Sequence, residues 1–503
     1  MAPFFSLHAP SPSPRPSLTG EVSCDVLVIG GGICGILTAH LLSLEGLDVI
    51  LLEANRLLSG QTLGTTAKIT AQHGLFAERL IRAVGLERAR GYAQANLQAV
   101  DALAHLAETC AAECGLSRQS AYLYTLGNPR PLEAEARACE QLGLSVRSTR
   151  HLPAPLLPAL ALRMDHQAQI NPLPLLHQLA KPLRVFEHSR VLSLSGSLAR
   201  TAHGCVRSSA IVVCTHYPAF TLPGAYFMRL YQQRSYTLAL STRQRVDGML
   251  YGVGPGAVSI RRAEGAVFLG GESHRCGQSS PGCYERLRQE ARRLFPQARE
   301  QASWSAQDCV TMDGIPYVGR YSRRMPDVYV ATGFGKWGMT NAMAAATLLK
   351  EEITGRGSPY ADVFSPLRLP GMTAAGGMAV QAGHACVGLA SSALPPPLRT
   401  AESLSPGEGA IIHDGLRKVA AYRDPGGRLH GISPYCAHMR CLLRFNADEC
   451  SWDCPCHGSR FTVDGELIGG PAQKQAPQRL PDRHAPSRSH SLPFQSGAHG
   501  RGI

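Results

Sequence analysis

Along the first two thirds of the chain, short apolar runs alternate with stretches of helical spacing. Residues 24–29 form an apolar run bounded by glycines, which predicts a buried strand. Residues 33–44 have helical length and spacing, and 48–53 predict a second strand. Apolar residues recur at helical spacing over 94–114, and less cleanly over 131–142. Strands are predicted at 184–194 and 209–214, with 235–241 and 266–270 belonging to a second sheet. A strand at 327–332 and a helix at 341–354 follow. Residues 366–403 shift to Ala, Gly and Pro and predict a linker. From 407 to 431 strand-like alternation returns, with turns at Asp414-Gly415 and Pro425-Gly426-Gly427. The two ends, a Pro/Ser-rich leader over 1–20 and a basic tail over 478–503, have few apolar residues and predict disorder.

Composition narrows the class. At 503 residues the chain is long for one core, so two or three domains are expected. With 44% apolar and 17% charged residues it is globular. The formal charge of +13 reflects a bias toward Arg. No nucleic-acid-binding fold or aromatic-basic stripe accompanies it, so nucleic acid is not an expected partner. The 16 cysteines follow no small-domain disulfide spacing and are expected mostly reduced. Cys110 and Cys114 are expected on one helix face as small buried hydrophobes. The leader lacks the basic and apolar regions of a secretory signal. Residues 26–52 are apolar enough to mimic a membrane span, but glycines, Glu45 and Asp48 break the run. The expectation is a cytoplasmic protein with no membrane span.

Gly30-Gly31-Gly32-Ile33-Cys34-Gly35 fits G-x-G-x-x-G between a strand and a helix. Gly30 turns the chain, Gly32 lets the backbone approach a pyrophosphate, and Gly35 lets helix and strand pack closely. Glu53, at the end of the second strand, would accept hydrogen bonds from a ribose and repel a 2′-phosphate. The small, polar segment after it, with Thr65, Thr66, Lys68 and His73, could hold a pyrophosphate and approach an isoalloxazine. A second glycine-rich turn, Gly333-Phe334-Gly335-Lys336-Trp337-Gly338-Met339, feeds a helix N-terminus that could stabilise negative charge on a reduced flavin. A simple nicotinamide dehydrogenase has no need of this closing turn, so FAD is the expected cofactor.

Near the other end stand Cys436-Ala437-His438 and Cys454-Pro455-Cys456-His457-Gly458-Ser459. Two thiolates on one iron and two imidazoles on the other are the ligands of a Rieske-type 2Fe–2S centre. Cys436 and Cys454 are the expected pair for one iron, His438 and His457 for the other. A zinc site is the competing reading. It leaves Cys441, Cys456, Gly458 and Ser459 without a reason.

On these motifs, with the 211–215 strand and Asp313 to Gly338, residues 21–365 resemble the D-amino-acid oxidase-like flavoproteins. Residues 404–477 resemble the Rieske domains of cytochrome bc-type complexes. Together they are similar to bacterial FAD-dependent oxidoreductases with a fused Rieske domain. The resemblance implies an α/β FAD-binding Rossmann-like domain with an α+β substrate domain built on a mixed sheet, then a small all-β Rieske domain. It further implies an adenine-contacting strand near Val191, a carbon–nitrogen bond as oxidation target, and Arg261 against a substrate carboxylate. It implies a Cys441–Cys456 disulfide between the ligand loops, a Ser459 hydroxyl near a bridging sulfide, and a shielding loop at Gly470-Pro471-Ala472. Where bc-type domains place a tyrosine, this chain has Phe461, and Arg440 replaces a small residue.

The expected function is oxidation of a small amine or amino acid, with electrons passing singly between FAD and the cluster and on to an unidentified carrier. Lys336 and His73 are proton-transfer candidates by motif position. Two alternatives stand beside it: an oxygen-using amine oxidase with the Rieske module as redox sensor, and a non-enzymatic electron relay.

Overall fold

The computed structural model describes residues 3–8, 13–110, 112–218, 220, 223–278, 281–368, 375–383 and 399–479. The predicted tail from 480 onward lies outside them. Strand Gly20–Ile29 runs at the centre of the first sheet, parallel to Gly204–Val213 on one side and Val49–Leu52 on the other. The sheet continues in parallel to Met325–Thr332 and Arg184–Phe186, and Tyr317–Ser322 closes one edge in antiparallel. Val26 and Val28 face the core beneath helices Ile33–Leu44 and Gly338–Ile353, while Leu27 and Ile29 face a second core on the other side. Burial on both faces is why this stretch reads as a continuous apolar run.

The second sheet is mixed. Its path is Arg299–Thr311, Leu230–Ser241, Ala266–Arg275, Ser259–Ala263, Met249–Val253, Ser117–Thr125, Leu160–Gln169 and Lys68–Ile69. Met249–Val253 and Ser117–Thr125 pair in parallel and their neighbours in antiparallel. A three-stranded and a four-stranded antiparallel sheet form the C-terminal module around Trp452, Phe461 and four buried cysteines. Among the described residues no helix is long and apolar enough to cross a membrane.

Several elements depart from expectation. The helix expected at 94–114 is Leu86–Thr109. It begins at the positive-φ Gly85 and ends where Cys110 turns extended, so Cys110 and Cys114 do not share a helix face. The strand expected at 184–194 breaks after Phe186. There the buried Glu187 carboxylate leaves the sheet to accept from the backbone N–H groups of Arg15 and Leu57 and to pair with Arg56. The described leader residues, 3–8 and 13–20, pack on the fold, with the Arg15 and Leu18 N–H groups donating to Glu187 and Ser189. Helix Phe4–His8 buries Phe4 and Phe5 against Phe268, apolar contacts that offset its ordering cost. Within the expected linker, residues 375–383 are helical, and Gln381 is buried.

Candidate active site and metal centre

The first glycine turn obeys the steric logic of its motif. Gly30 has φ 111°, and a Cβ there would lie 2.6 Å from the Cys214 carbonyl oxygen. A Cβ on Gly35 would lie 1.9 Å from the Gly30 oxygen, so helix and strand could not close together. Thr62 Oγ1 accepts from the N–H of Ile33 at 3.0 Å and caps the helix that Gly32 opens. Glu53 accepts from the N–H of Gly31 at 2.7 Å and of Asn55 at 2.8 Å, so its carboxylate is held at the turn.

From this turn a cavity of about 1280 Å³ runs between the two sheets. Gly30, Gly32, Glu53, Thr65, Thr66, Lys68 and Val191 line it, as do Gly333, Gly335, Gly338 and Met339. The volume and the glycine-edged turn suit a dinucleotide. Lys68 Nζ meets Ser259 Oγ, and Lys336 Nζ meets Ser273 Oγ. Burial, then the charges of Arg261 and Lys336, pull Lys68 down to about 7.

Two expected catalytic residues are placed otherwise. His73 borders the cavity, but both ring nitrogens are engaged. Nδ1 meets the Tyr92 hydroxyl at 2.7 Å, and Nε2 meets the Thr70 carbonyl at 2.8 Å. Its ring stacks on Trp337 at 4.9 Å, and burial lowers it to about 3, so it supports the wall as a neutral ring. Arg261 is not among the residues lining the cavity. It is fully buried, donates to the carbonyls of Ala67 and Ile170, and lies over the Phe5 and Phe268 rings. The N-terminal helix that covers it was unreadable as structure in so short a segment.

The strands Leu230–Ser241 and Arg299–Thr311 supply residues that pattern reading missed. They pair so that Gln233 faces Asp308 and Arg234 faces Gln307. Tyr231, Gln233, Ser235, Ala306 and Asp308 line the cavity. Gln232, Arg234 and Gln307 point to the opposite face, where they are buried under the C-terminal module. The strand period of two produces this division. Burial pushes the Asp308 carboxyl up to about 6, opposed by the Lys336 charge and backbone N–H.

On that far face stand the cluster ligands. Cys436, Cys454 and His457 are buried, and the His438 and His457 rings meet at 5.1 Å and 88°. Both nitrogens of each ring are buried with no hydrogen-bond partner. Four orphaned imidazole nitrogens beside buried thiols fit an iron–sulfur centre held by two Cys and two His. The sulfurs of Cys441, Cys454 and Cys456 lie within 4.8 Å of one another, and Cys441 and Cys456 are free thiols in this structure. Ser459 Oγ accepts from the N–H of Ala472 at 3.1 Å, which leaves its proton for a sulfur acceptor. Gly470 packs on the Ser459 backbone, so the Gly470-Pro471-Ala472 loop does cover this ligand loop.

The module is bound by charge as well as shape. Arg234, fully buried, lies 3.2 Å from the Asp453 carboxylate and 3.7 Å from that of Glu449. Asp448 accepts from the N–H groups of Gly282 and Cys283 at 3.1 Å, capping helix Cys283–Leu294 from across the boundary. Gln381 donates to the Cys456 carbonyl at 3.0 Å.

Residues 25–352 match the family described as FAD dependent oxidoreductase, and residues 396–482 match the Rieske [2Fe-2S] domain. Over 487 residues the chain is 36% identical to YhfW of Bacillus subtilis (strain 168), named as a Rieske 2Fe-2S iron-sulfur protein; the match covers 92% of this chain and 94% of that one. A cytochrome b6-f complex iron-sulfur subunit of Chlorobaculum thiosulfatiphilum is 29% identical over 87 residues, 16% of this chain and 48% of its own. Glycine oxidase from Geobacillus kaustophilus shares the fold at TM-score 0.58 and 19% identity, over 69% of this chain and 100% of its own. L-proline dehydrogenase from P. horikoshii does so at 0.56 and 16%, over 70% and 98%. A glycine-edged cavity and a Cys/His ligand set on opposite faces of one strand pair thus carry the chemistry of both matches: the chain belongs to the FAD-dependent oxidoreductase family, with FAD and a C-terminal Rieske 2Fe–2S cluster as its cofactors.

Proposed function

We propose that the protein oxidises a carbon–nitrogen bond of a small amine or amino acid and passes the electrons singly from the flavin to the cluster, where an external carrier collects them. FAD, when bound, would take a hydride equivalent and release single electrons, and the 2Fe–2S centre accepts one at a time. One observation carries the reading: the cavity and the His457 ligand loop lie on opposite faces of the same two paired strands. Backbone one strand thick separates them.

The chain's own residues would divide the work. Gly30, Gly32, Gly35 and Glu53 hold the dinucleotide end. Thr65, Thr66, Lys68, Val191, Gly333, Gly335, Gly338 and Met339 wall the remainder. Lys336 and Asp308 stand as proton-exchanging groups in the cavity. Cys436 and Cys454 hold one iron, His438 and His457 the other. The nearness of the Cys441 and Cys456 sulfurs supports a disulfide joining the ligand loops under oxidising conditions.

Anaerobic addition of an amine and amino-acid panel tests this, followed by absorption and low-temperature EPR. A productive substrate should bleach the flavin and raise a histidine-ligated cluster signal together. Bleaching with the cluster left oxidised would point to an oxidase. Failure of every substrate, with rapid reduction by a carrier protein, would leave an electron relay. His457→Ala should abolish the cluster signal and retain FAD.

A further inference from the structure

We infer that Gln307, with Gln232, is a positioning pair that latches the second cluster-ligand loop onto the flavin-side strand pair, making this the place where electrons cross. The inference rests on the flavin-to-cluster reading above. It adds which residues set the coupling.

Gln307 sits at the centre of a buried hydrogen-bond network. Its Nε2 donates to the Gly458 carbonyl at 2.7 Å and to Gln232 Oε1. Its Oε1 accepts from Arg234 at 2.7 Å and from the Cys276 thiol at 2.9 Å. Gln232 Nε2 donates in turn to the His457 carbonyl at 2.7 Å. These partners fix the orientation of both amides, since a flipped Gln307 would aim a carbonyl at the Gly458 oxygen. Both glutamines therefore bond the backbone of the ligand His457 and of its neighbour. A network of this kind rigidifies the groups it joins.

The ligand loop is shaped to receive the pair. Gly458 has φ 74°, and a Cβ there would lie 2.9 Å from Gln232 Cβ and from Gln307 Nε2. A side chain at 458 would push the loop off the strands. At its other end, Gln307 is tied into the cavity wall: its backbone N–H donates to Gln61 Oε1 at 2.7 Å, and its neighbours Ala306 and Asp308 line the cavity with Gln61. One residue thus spans from the cavity wall to the ligand loop. The Phe227 ring packs edge-on against His457 at 6.1 Å, so the loop is held by contact as well as hydrogen bonds.

The test uses the full-length protein loaded with both cofactors, comparing Gln307→Met with wild type. Methionine keeps the length and removes both polar ends. Flavin is reduced by a light pulse with a sacrificial donor under anaerobic conditions, so no substrate is needed. Cluster reduction is followed by absorbance, and backbone amide exchange is read separately over 458–460. The variant should retain the cluster EPR signal, slow cluster reduction several-fold, and speed exchange in the ligand loop about fivefold, the loss of one buried hydrogen bond. Wild-type electron transfer and wild-type exchange in the variant would overturn the inference. Absence of cluster reduction in wild type would instead sink the flavin-to-cluster reading. If Gln307→Met loses its cluster, Gln307→Glu decides by the same two readings. It keeps the acceptors for Arg234 and Cys276 and loses the donor to Gly458.

Discussion

Single residues in this protein are constrained most tightly where backbone approaches backbone. Gly30→Ala would set a methyl group against the Cys214 carbonyl at a φ that L-residues avoid, so the variant should purify without flavin absorbance. Gly127→Ala, at a position open to solvent, should retain it. Asp308 makes a second case. Burial raises its carboxyl from 3.8 to about 6 in the folded chain. The folded state therefore holds a proton that the unfolded state releases. That contribution to stability is complete below pH 3.8 and is lost as pH rises through about 6. Thermal melts of wild type across that window should fall relative to those of Asp308→Asn, and parallel curves would disprove the shift. The glycines were legible from spacing, because G-x-G-x-x-G encodes local sterics. Asp308 was not, because its position depends on strand pairing and on what closes over the cavity.

Among elements, the polar strand is the informative one. Tyr231-Gln232-Gln233-Arg234-Ser235 has no apolar face, and alternation of apolar residues first shows at 235. The expected strand therefore started late, whereas the structure carries it from Leu230 to Ser241. Both faces are polar because both are functional boundaries, one on the cavity and one on the Rieske module. The same cause extends Ala266–Gly270 to Arg275. Arg234 is the element's anchor. Arg234→Met would leave Asp453 with Arg460, 3.4 Å away, as its remaining cation, at a cost of about 1.5–3 kcal/mol. Denaturant unfolding of the module, followed by the visible absorption of the cluster, should report the loss. The long helix shows the opposite lesson. Its apolar spacing was read from 94 to 114, past its end at Thr109, and Gly91 and the charged turn before it disguised the start. Gly91 is tolerated because Val363 packs where a Cβ would stand.

For the whole molecule, the consequence is a flavin cavity and an iron–sulfur module joined without a gap. Buried ion pairs, a helix cap supplied by Asp448 and the Gln381 bond to Cys456 all cross the boundary. Leu467, Ile468 and Gly470 of the module reach the rim of the cavity itself. Electron passage between the cofactors should therefore be intramolecular: the rate of cluster reduction after flavin reduction should not change on dilution. A rate proportional to protein concentration would mean that the two centres serve different molecules.

The two cofactor motifs, their order and the buried strand over 24–29 were readable along the chain. Each depends on residues close in sequence: a turn that needs glycine, thiols and imidazoles at ligand spacing, an apolar run buried on both faces. The burial of Arg261 beneath the N-terminal helix, the neutral support role of His73 and the glutamine bridge between cavity and cluster came from folding alone. Each depends on at least one partner between 90 and 270 positions away, such as Ile170 for Arg261, Trp337 for His73 and Gly458 for Gln307. No local pattern of polar and apolar residues records which distant surface will close over a side chain.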